Sequence, residues 1–362
     1  MKEFFYRVAT DQKKGRGIFL LTVLLRLLSW IYAGVIRGMV FFYQKGFLKQ
    51  HRLSVPVISI GNITLGGVGK TPLVEMLATI LKDEGFRTVI LTRGYMDAKD
   101  TSDTSKTAGS VDSDEAQMLK ESLEDVPVLV GRDRITNART FLKKERADVF
   151  ILDDGFQHWR LARDLDVVAI DATSPWGNGS LIPRGILREP LSALSRAGIF
   201  VLTKTDFGAH NVEPIRTQLK AIEPQALIVE TVHEPQHLID LNTQKSLTIA
   251  SLVQRNVCCL SGLADNMSFQ KTITCLGAIV QKNFSFPDHH VYESSDIERI
   301  VNYCREEKCD TVVTTQKDAV KLKEFLKNFQ ASGISVLVLR IKIVLTKGKD
   351  KFLERIHSVL PH

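Results

Sequence analysis

Lys70 and Thr71, set directly behind Gly66-Gly67-Val68-Gly69, are the residues of this chain whose types and spacing point most clearly to chemistry. A glycine turn lets backbone N–H groups point inward at an anion. A lysine at the helix start adds a cation that reaches β and γ phosphate oxygens, and the adjacent hydroxyl can bind a divalent ion. The apolar run Val57-Ile58-Ser59-Ile60 before the turn reads as a buried strand, and Pro72 suits the first turn of a helix. Thr64 stands where the strict G-x-x-x-x-G-K-[ST] pattern has its first glycine, and Leu65 where a variant form carries an early lysine. The reading is a nucleoside triphosphate site.

More chemically capable side chains fall just after other apolar runs. Val149-Phe150-Ile151-Leu152 leads into Asp153-Asp154, the pattern of a strand whose terminal carboxylate holds Mg²⁺. Gln157 and His158 follow three and four residues behind Asp154. Tyr95 and Arg134 lie after two further strand candidates, and the Gly/Pro-rich stretch 175–190 carries Arg184 and Arg188. Arginine in such a loop can neutralise charge that develops on a transferred phosphoryl group. Asp112-Ser113-Asp114-Glu115 opens a helix; by spacing alone, Asp114 is either a first-turn acid favoured by the helix dipole or a chemical group. Thr203-Lys204-Thr205-Asp206 lacks the Asn of a guanine-reading motif and reads as a strand-end turn near the nucleotide. Phe286-Pro287-Asp288-His289-His290 offers a histidine for acid–base work or a structural turn, without further ligands at zinc-like spacing.

The elements needed to position these groups alternate. Strand candidates at 88–92, 126–130, 148–153, 166–171 and 199–203 are nearly continuous in hydrophobicity, as strands covered on both faces are. The expected fold is α/β, P-loop NTPase-like, with a doubly wound, mostly parallel sheet and ligands at the strands' carboxyl ends. A second, smaller α/β domain and an N-terminal membrane-associated helix complete it. The expected boundaries are 1–50 for the helix, 51–235 for the nucleotide-binding domain, 236–255 for a connection and 256–362 for the smaller domain. Residues 17–43 are long and apolar enough to span a bilayer, yet Thr22, Arg26, Ser29 and Arg37 share one stripe and both flanks are basic. That pattern predicts a helix lying in one leaflet, with its arginines at the headgroups and Trp30, Tyr32 and Tyr43 near the interface.

A net charge of +7 and a pI near 9.1 favour an anionic partner, nucleotide or acidic lipid; no nucleic-acid-reading motif is present. The five cysteines lack zinc spacing and fit buried, reduced thiols.

Taken in order, GNITLGGVGKTP, RGY, SDEAQML, DDGFQH, LIPRGILREP, TKTD, FPDHH and TTQKDAVKL resemble the tetraacyldisaccharide 4′-kinase family over nearly the whole chain. The resemblance implies transfer of the ATP γ-phosphate to the 4′-hydroxyl of a lipid A disaccharide precursor, with ATP and Mg²⁺, at the cytoplasmic face of the bacterial inner membrane; a monomer is expected. By motif it assigns Lys70 and Thr71 to the phosphate loop and Thr71, Asp153 and Asp154 to the metal. Arg134 and Arg188 fall near the phosphates. Asp114 becomes the base, His289 its partner, and Tyr95, Glu115, Gln157 and His158 the acceptor site. Ser113 and Ala116 replace the Gly and Pro that the family has around the Asp-Glu pair. The rival reading is a P-loop switch ATPase acting through partner binding.

Overall fold

Apolar residues on both faces of successive strands can be buried only if helices cover both sides of a sheet, and the computed structural model has this arrangement. It describes residues 8, 16–93, 114–263, 265–288 and 290–361. The chain divides into two units, Met1–Val232 with Ile343–His362, and His233–Lys342.

The first unit runs α1 (Arg16–Gln44), β1 (Val57–Gly61), α2 (Lys70–Asp83), β2 (Thr88–Thr92), α3 (Asp114–Ser122), β3 (Val128–Val130), α4 (Arg134–Leu142), β4 (Val149–Asp153), β5 (Leu165–Asp171), β6 (Ile199–Thr203), α5 (Ala209–Ile222) and the start of β7 (Leu227–Asp240). Its strands lie in the order β3-β2-β4-β1-β5-β6-β7, every pair parallel. Alternation along β4 sorts the two faces. Val149 and Ile151 pack with Leu73, Leu77 and Leu81 of α2, whereas Phe150 and Leu152 pack with Ile135 and Ala138 of α4. β1 sits between β4 and β5, where the winding changes direction, so the loops after β1 and β4 open side by side.

The second unit contains β8 (Ser246–Leu247), β9 (Asn256–Ser261), α6 (Asn266–Cys275), β10 (Ile279–Ser285), α7 (Ser294–Glu306), β11 (Thr311–Thr315), α8 (Gln316–Leu322), α9 (Leu326–Gln330) and most of β12 (Ser335–Lys347). Its parallel order is β10-β9-β11-β12, with α7 residues Ile297, Ile300 and Cys304 in one core cluster and α6 residues Phe269 and Ile273 in another.

The division departs from the sequence boundaries. Residues 343–362 group with the first unit, where α10 (Lys349–His357) and the residues after it bury Phe352, Ile356 and Leu360 in the same cluster as Ile58 and Leu73. Their spacing of four makes an apolar helix face that needs a covered sheet, and the first unit supplies one. The stretch 236–255 is not a plain connection either, because β7 extends to Asp240 and pairs antiparallel with β8. Its polar run His233-Glu234-Pro235-Gln236 hides the strand from a hydrophobicity reading. Of the five cysteines, all free, Cys275 is exposed rather than buried.

Candidate active site

The phosphate loop is built by the end of β1 and the start of α2. Gly69 is the N-cap of α2 at φ 85°, a conformation that favours glycine, and Gly66 is likewise at positive φ. Thr71 is buried at the helix start, and Thr203 at the end of β6 donates its hydroxyl to the Val68 carbonyl at 2.9 Å. This backs the loop with the end of β6, the second strand along from β1.

Parallel register sets Ile60 beside Asp153, which brings the second chemical segment to the first. Asp154 turns back with φ 47°, and Gly155 N–H closes the turn onto the Ile60 carbonyl at 3.1 Å. A Cβ on Gly155 would lie 2.6 Å from Ser59 Oγ, so this close approach excludes a side chain. Asp154 then faces Lys70. Lys70 Nζ lies 3.5 Å from Asp154 Oδ1 and donates to Asn62 Oδ1 at 3.1 Å. Arg188 grips Asp154 with both terminal nitrogens, at 2.8 and 3.1 Å, and reaches the same Asn62 oxygen at 3.3 Å. Buried Arg134 donates to the Asp154 carbonyl at 3.5 Å.

The two aspartates differ electrostatically. Asp153 is fully enclosed, and burial pushes its carboxyl up to about 6; the charge of Glu115 adds to the rise, while the Thr92 hydroxyl, donated at 2.8 Å, and Lys70 oppose it. Burial also acts to raise Asp154, but Lys70, Arg188 and Arg134 together outweigh it and hold that carboxyl below the ordinary range. Burial lowers Arg134, against the pull of Asp153 and Asp154.

The loop that delivers Arg188 is pinned on two sides. Arg188 N–H donates to the Ile63 carbonyl at 2.7 Å and Leu65 N–H to Ile186 at 2.7 Å, so it runs along the phosphate loop. From the other side, α1 holds it: Tyr32 OH donates to the Arg188 carbonyl at 2.8 Å, and Ser29 Oγ donates to Leu181 O at 2.8 Å and accepts from Arg184 N–H at 3.0 Å. Two expectations are corrected here. Arg184 does not face the phosphates; it is buried toward the N-terminal segment, with Nη1 donating to the Val8 carbonyl at 3.2 Å. Tyr32 and Tyr43, expected near a lipid interface, turn toward the protein instead, as does Ser29 beside them. Together with Leu25 and Ala33 they form the face of α1 that packs on its own unit, Tyr43 stacking on Trp159 with ring centroids 6.0 Å apart. Arg26 and Arg37 border that face, and the opposite side carries exposed apolar residues, including Leu20, Trp30, Ile31 and Val35.

The remaining expected residues are distributed as follows. Tyr95 and His289 lie outside the described residues, as does the side chain of Asp114, whose backbone begins α3. Glu115 is half-buried in that first turn, close enough to act on Asp153. Gln157 Nε2 donates to the Asn62 carbonyl at 2.9 Å and thereby braces the phosphate loop. His158 is driven down to about 4, first by burial and then by Arg134, Arg163 and Arg160, so its ring is neutral at pH 7; its buried Nε2 has no hydrogen-bond partner among the described residues. In the second unit, Lys317 pairs with Asp288 at 2.6 Å, and His290 Nε2 meets Asp296 at 2.7 Å. Asp318 accepts from Gly262 N–H and Tyr292 OH, each at 3.0 Å.

Sequence reasoning missed Asn62, Thr92 and Tyr32 as parts of the site. Asn62 is the hub, fully buried and bonded to Lys70, Arg188 and Thr64. Its position directly after β1 was the available signal. Nothing local marks Thr92 or Tyr32, whose partners are distant in the chain.

The donor set fits a nucleotide with a hard cation. A buried carboxylate whose charged form is disfavoured, Asp153, sits by register beside the strand leading to Thr71, and a divalent ion would supply the missing compensation. Lys70, Arg188 and the open glycine turn suit phosphates.

Comparison with known proteins agrees with this geometry. Residues 21–360 match the family model described as tetraacyldisaccharide-1-P 4′-kinase. A tetraacyldisaccharide 4′-kinase of Anaeromyxobacter dehalogenans strain 2CP-C is 40% identical over 325 residues, covering 88% of this chain and 85% of its own. That of Syntrophus aciditrophicus is 36% identical over 315 residues, covering 83% and 84%. Among solved structures, the chain is similar to LpxK from Aquifex aeolicus crystallised with ATP, with a TM-score of 0.70 and 31% identity, covering 94% of this chain and all of that one.

Proposed function

The chain belongs to the tetraacyldisaccharide-1-P 4′-kinase family, and from that premise we propose how its own residues perform the transfer. It is an ATP-dependent kinase that phosphorylates the 4′-hydroxyl of the tetraacyldisaccharide 1-phosphate precursor in lipid A biosynthesis. The observation that carries the residue assignment is the convergence of Lys70 and Arg188 on Asp154, beside the buried Asp153.

Lys70 and the amides of Gly66–Gly69 hold the β and γ phosphate oxygens of ATP. Arg188 and Arg134 stabilise charge on the transferring group, Arg188 exchanging its hold on Asp154 for phosphate oxygens. Thr71, Asp153 and Asp154 would hold Mg²⁺, which when bound neutralises phosphate charge. The 4′-oxygen of the sugar forms its bond to the γ-phosphorus as the bond from that phosphorus to the β,γ-bridging oxygen breaks; the hydroxyl proton passes to Asp114, with His289 its partner in that exchange. A loose transition state asks little of the base, so positioning and charge stabilisation dominate. Tyr95, Glu115, Gln157 and His158 line the acceptor side.

The exposed apolar face of α1 supports attachment to a lipid surface, with Arg26 and Arg37 at its border reaching headgroups. We assign the protein to the cytoplasmic face of the inner membrane, peripheral or monotopic and monomeric. The deciding assay incubates the full chain with γ-labelled ATP, Mg²⁺ and tetraacyldisaccharide 1-phosphate in mixed micelles. Label in the lipid at the 4′ position is expected; ATP hydrolysis with an unlabelled acceptor would overturn the assignment in favour of a switch ATPase.

A further inference from the structure

We propose that Arg196 is a positioning residue for phosphoryl transfer, locking the loop that delivers Arg188 to the loop that delivers Asp154. The proposal rests on the reading of Arg188 given above. Arg196 ends the short 3₁₀ turn Leu191–Arg196. Its guanidinium meets Glu189 through two bonds, Nη1 to Oε2 at 3.0 Å and Nη2 to Oε1 at 3.2 Å, and Nη2 also donates to the Phe156 carbonyl at 3.3 Å. The guanidinium carbon lies over two rings, 4.2 Å from the Phe156 centroid and 3.9 Å from that of Trp159.

These partners flank the catalytic pair in the chain. Glu189 directly follows Arg188, and Phe156 comes two residues after Asp154. One side chain therefore ties the Glu189 carboxylate to the Phe156 backbone, next in the chain to Arg188 and close behind Asp154. Glu189 is only 1% exposed, so its charge is committed to this contact. An apolar pair could fill the same volume without loss of stability, but only a planar fork fixes the direction of a carboxylate while stacking on aromatic faces. Lysine would keep the charge and lose both features. Arg188 must leave Asp154 for a phosphate along a defined path, and a loop free to shift by an ångström would lose that path.

The test is a double-mutant cycle on the full chain, with Arg196→Lys in wild-type and Arg188→Ala backgrounds. Turnover and ATP affinity are measured together with a thermal melt. In the wild-type background kcat should fall on the order of 10- to 100-fold with ATP affinity retained. In the Arg188→Ala background the same substitution should cost less than about twofold, because the group it aims is gone. An equal loss in both backgrounds, or wild-type kcat in Arg196→Lys, would overturn the proposal. If Arg196→Lys does not fold, Trp159→Leu, which removes one stacking surface, is carried through the same cycle with the same criteria. Wild-type turnover in Arg188→Ala alone would instead overturn the reading of Arg188 itself.

Discussion

Asp153 and Asp154 are consecutive in the chain yet have opposite proton affinities: enclosure pushes the first up to about 6, and three basic side chains hold the second below the usual carboxylate range. The difference arises from one peptide. Asp153 is the last residue of β4 and points into the covered sheet toward Thr92, whereas Asp154, in the left-handed region, turns toward Lys70 and Arg188. Two neighbouring acids are thus separated into one that lacks a cation and one that already has several.

For Asp153 the native state holds a proton that the unfolded chain has released between about pH 4 and pH 6, so stability falls as pH rises through that window. A shift of roughly two units corresponds to about 3 kcal/mol of cost at neutral pH. Asp153→Asn in the presence of a chelator should therefore melt several degrees higher than wild type at pH 8, keep about half of that gain at pH 5 and lose it below about pH 4, while losing kinase activity. A lower melting temperature at pH 8 would contradict the origin given for the shift.

Asp154 has the opposite sign. Its lowered proton affinity contributes stability that is present above the unfolded value near 4 and is lost as pH falls below it. Asp154→Asn should destabilise the fold at pH 7, by no more than about 1 kcal/mol because the carboxylate is partly exposed to solvent, and lower the melting temperature accordingly. The difference from wild type should vanish on acidification, which thermal melts over a pH series would detect.

Lys70→Ala and Arg188→Ala should each reduce label transfer to the lipid acceptor by about 10²–10³-fold, the scale for removing a preorganised charge from a transition state. His289→Ala should lose distinctly less, since the base contributes little to a loose transition state. Equal losses in all three, measured as kcat with both substrates saturating, would reverse this ranking.

The two faces of α1 should separate by mutation. Leu20→Asp, Ile31→Asp and Val35→Asp together alter only exposed positions and should shift the protein from the membrane fraction to the soluble one, with the melting temperature preserved. Tyr32→Phe with Ser29→Ala removes hydrogen bonds to the Arg188 loop, each worth about 1 kcal/mol, and should lower kcat while membrane recovery stays unchanged. Fractionation and turnover on the same preparations check both.

Much of the site was legible locally. Glycines, lysine and threonine after an apolar run, and an acid after another, are short-range patterns, because a strand followed by a tight turn is specified within a dozen residues. The alternating apolar runs likewise identify a covered parallel sheet. α10 and the second half of β7 were not legible, since one needs a sheet nearly three hundred residues earlier and the other is polar without its partner.

By itself, then, the sequence determined the strand-turn-helix that makes a phosphate loop, the acidic strand end that accompanies it, and the apolar N-terminal helix. Only the tertiary structure decided where Arg184 is buried, which face of α1 is covered, and why Asp153 and Asp154 differ. The physical reason is that residue type and spacing encode local geometry, whereas burial and charge compensation depend on groups brought together across the sheet. Parallel pairing of Ile60 with Asp153, and the hold of Tyr32 on the Arg188 carbonyl 156 residues away, are properties of the folded chain alone.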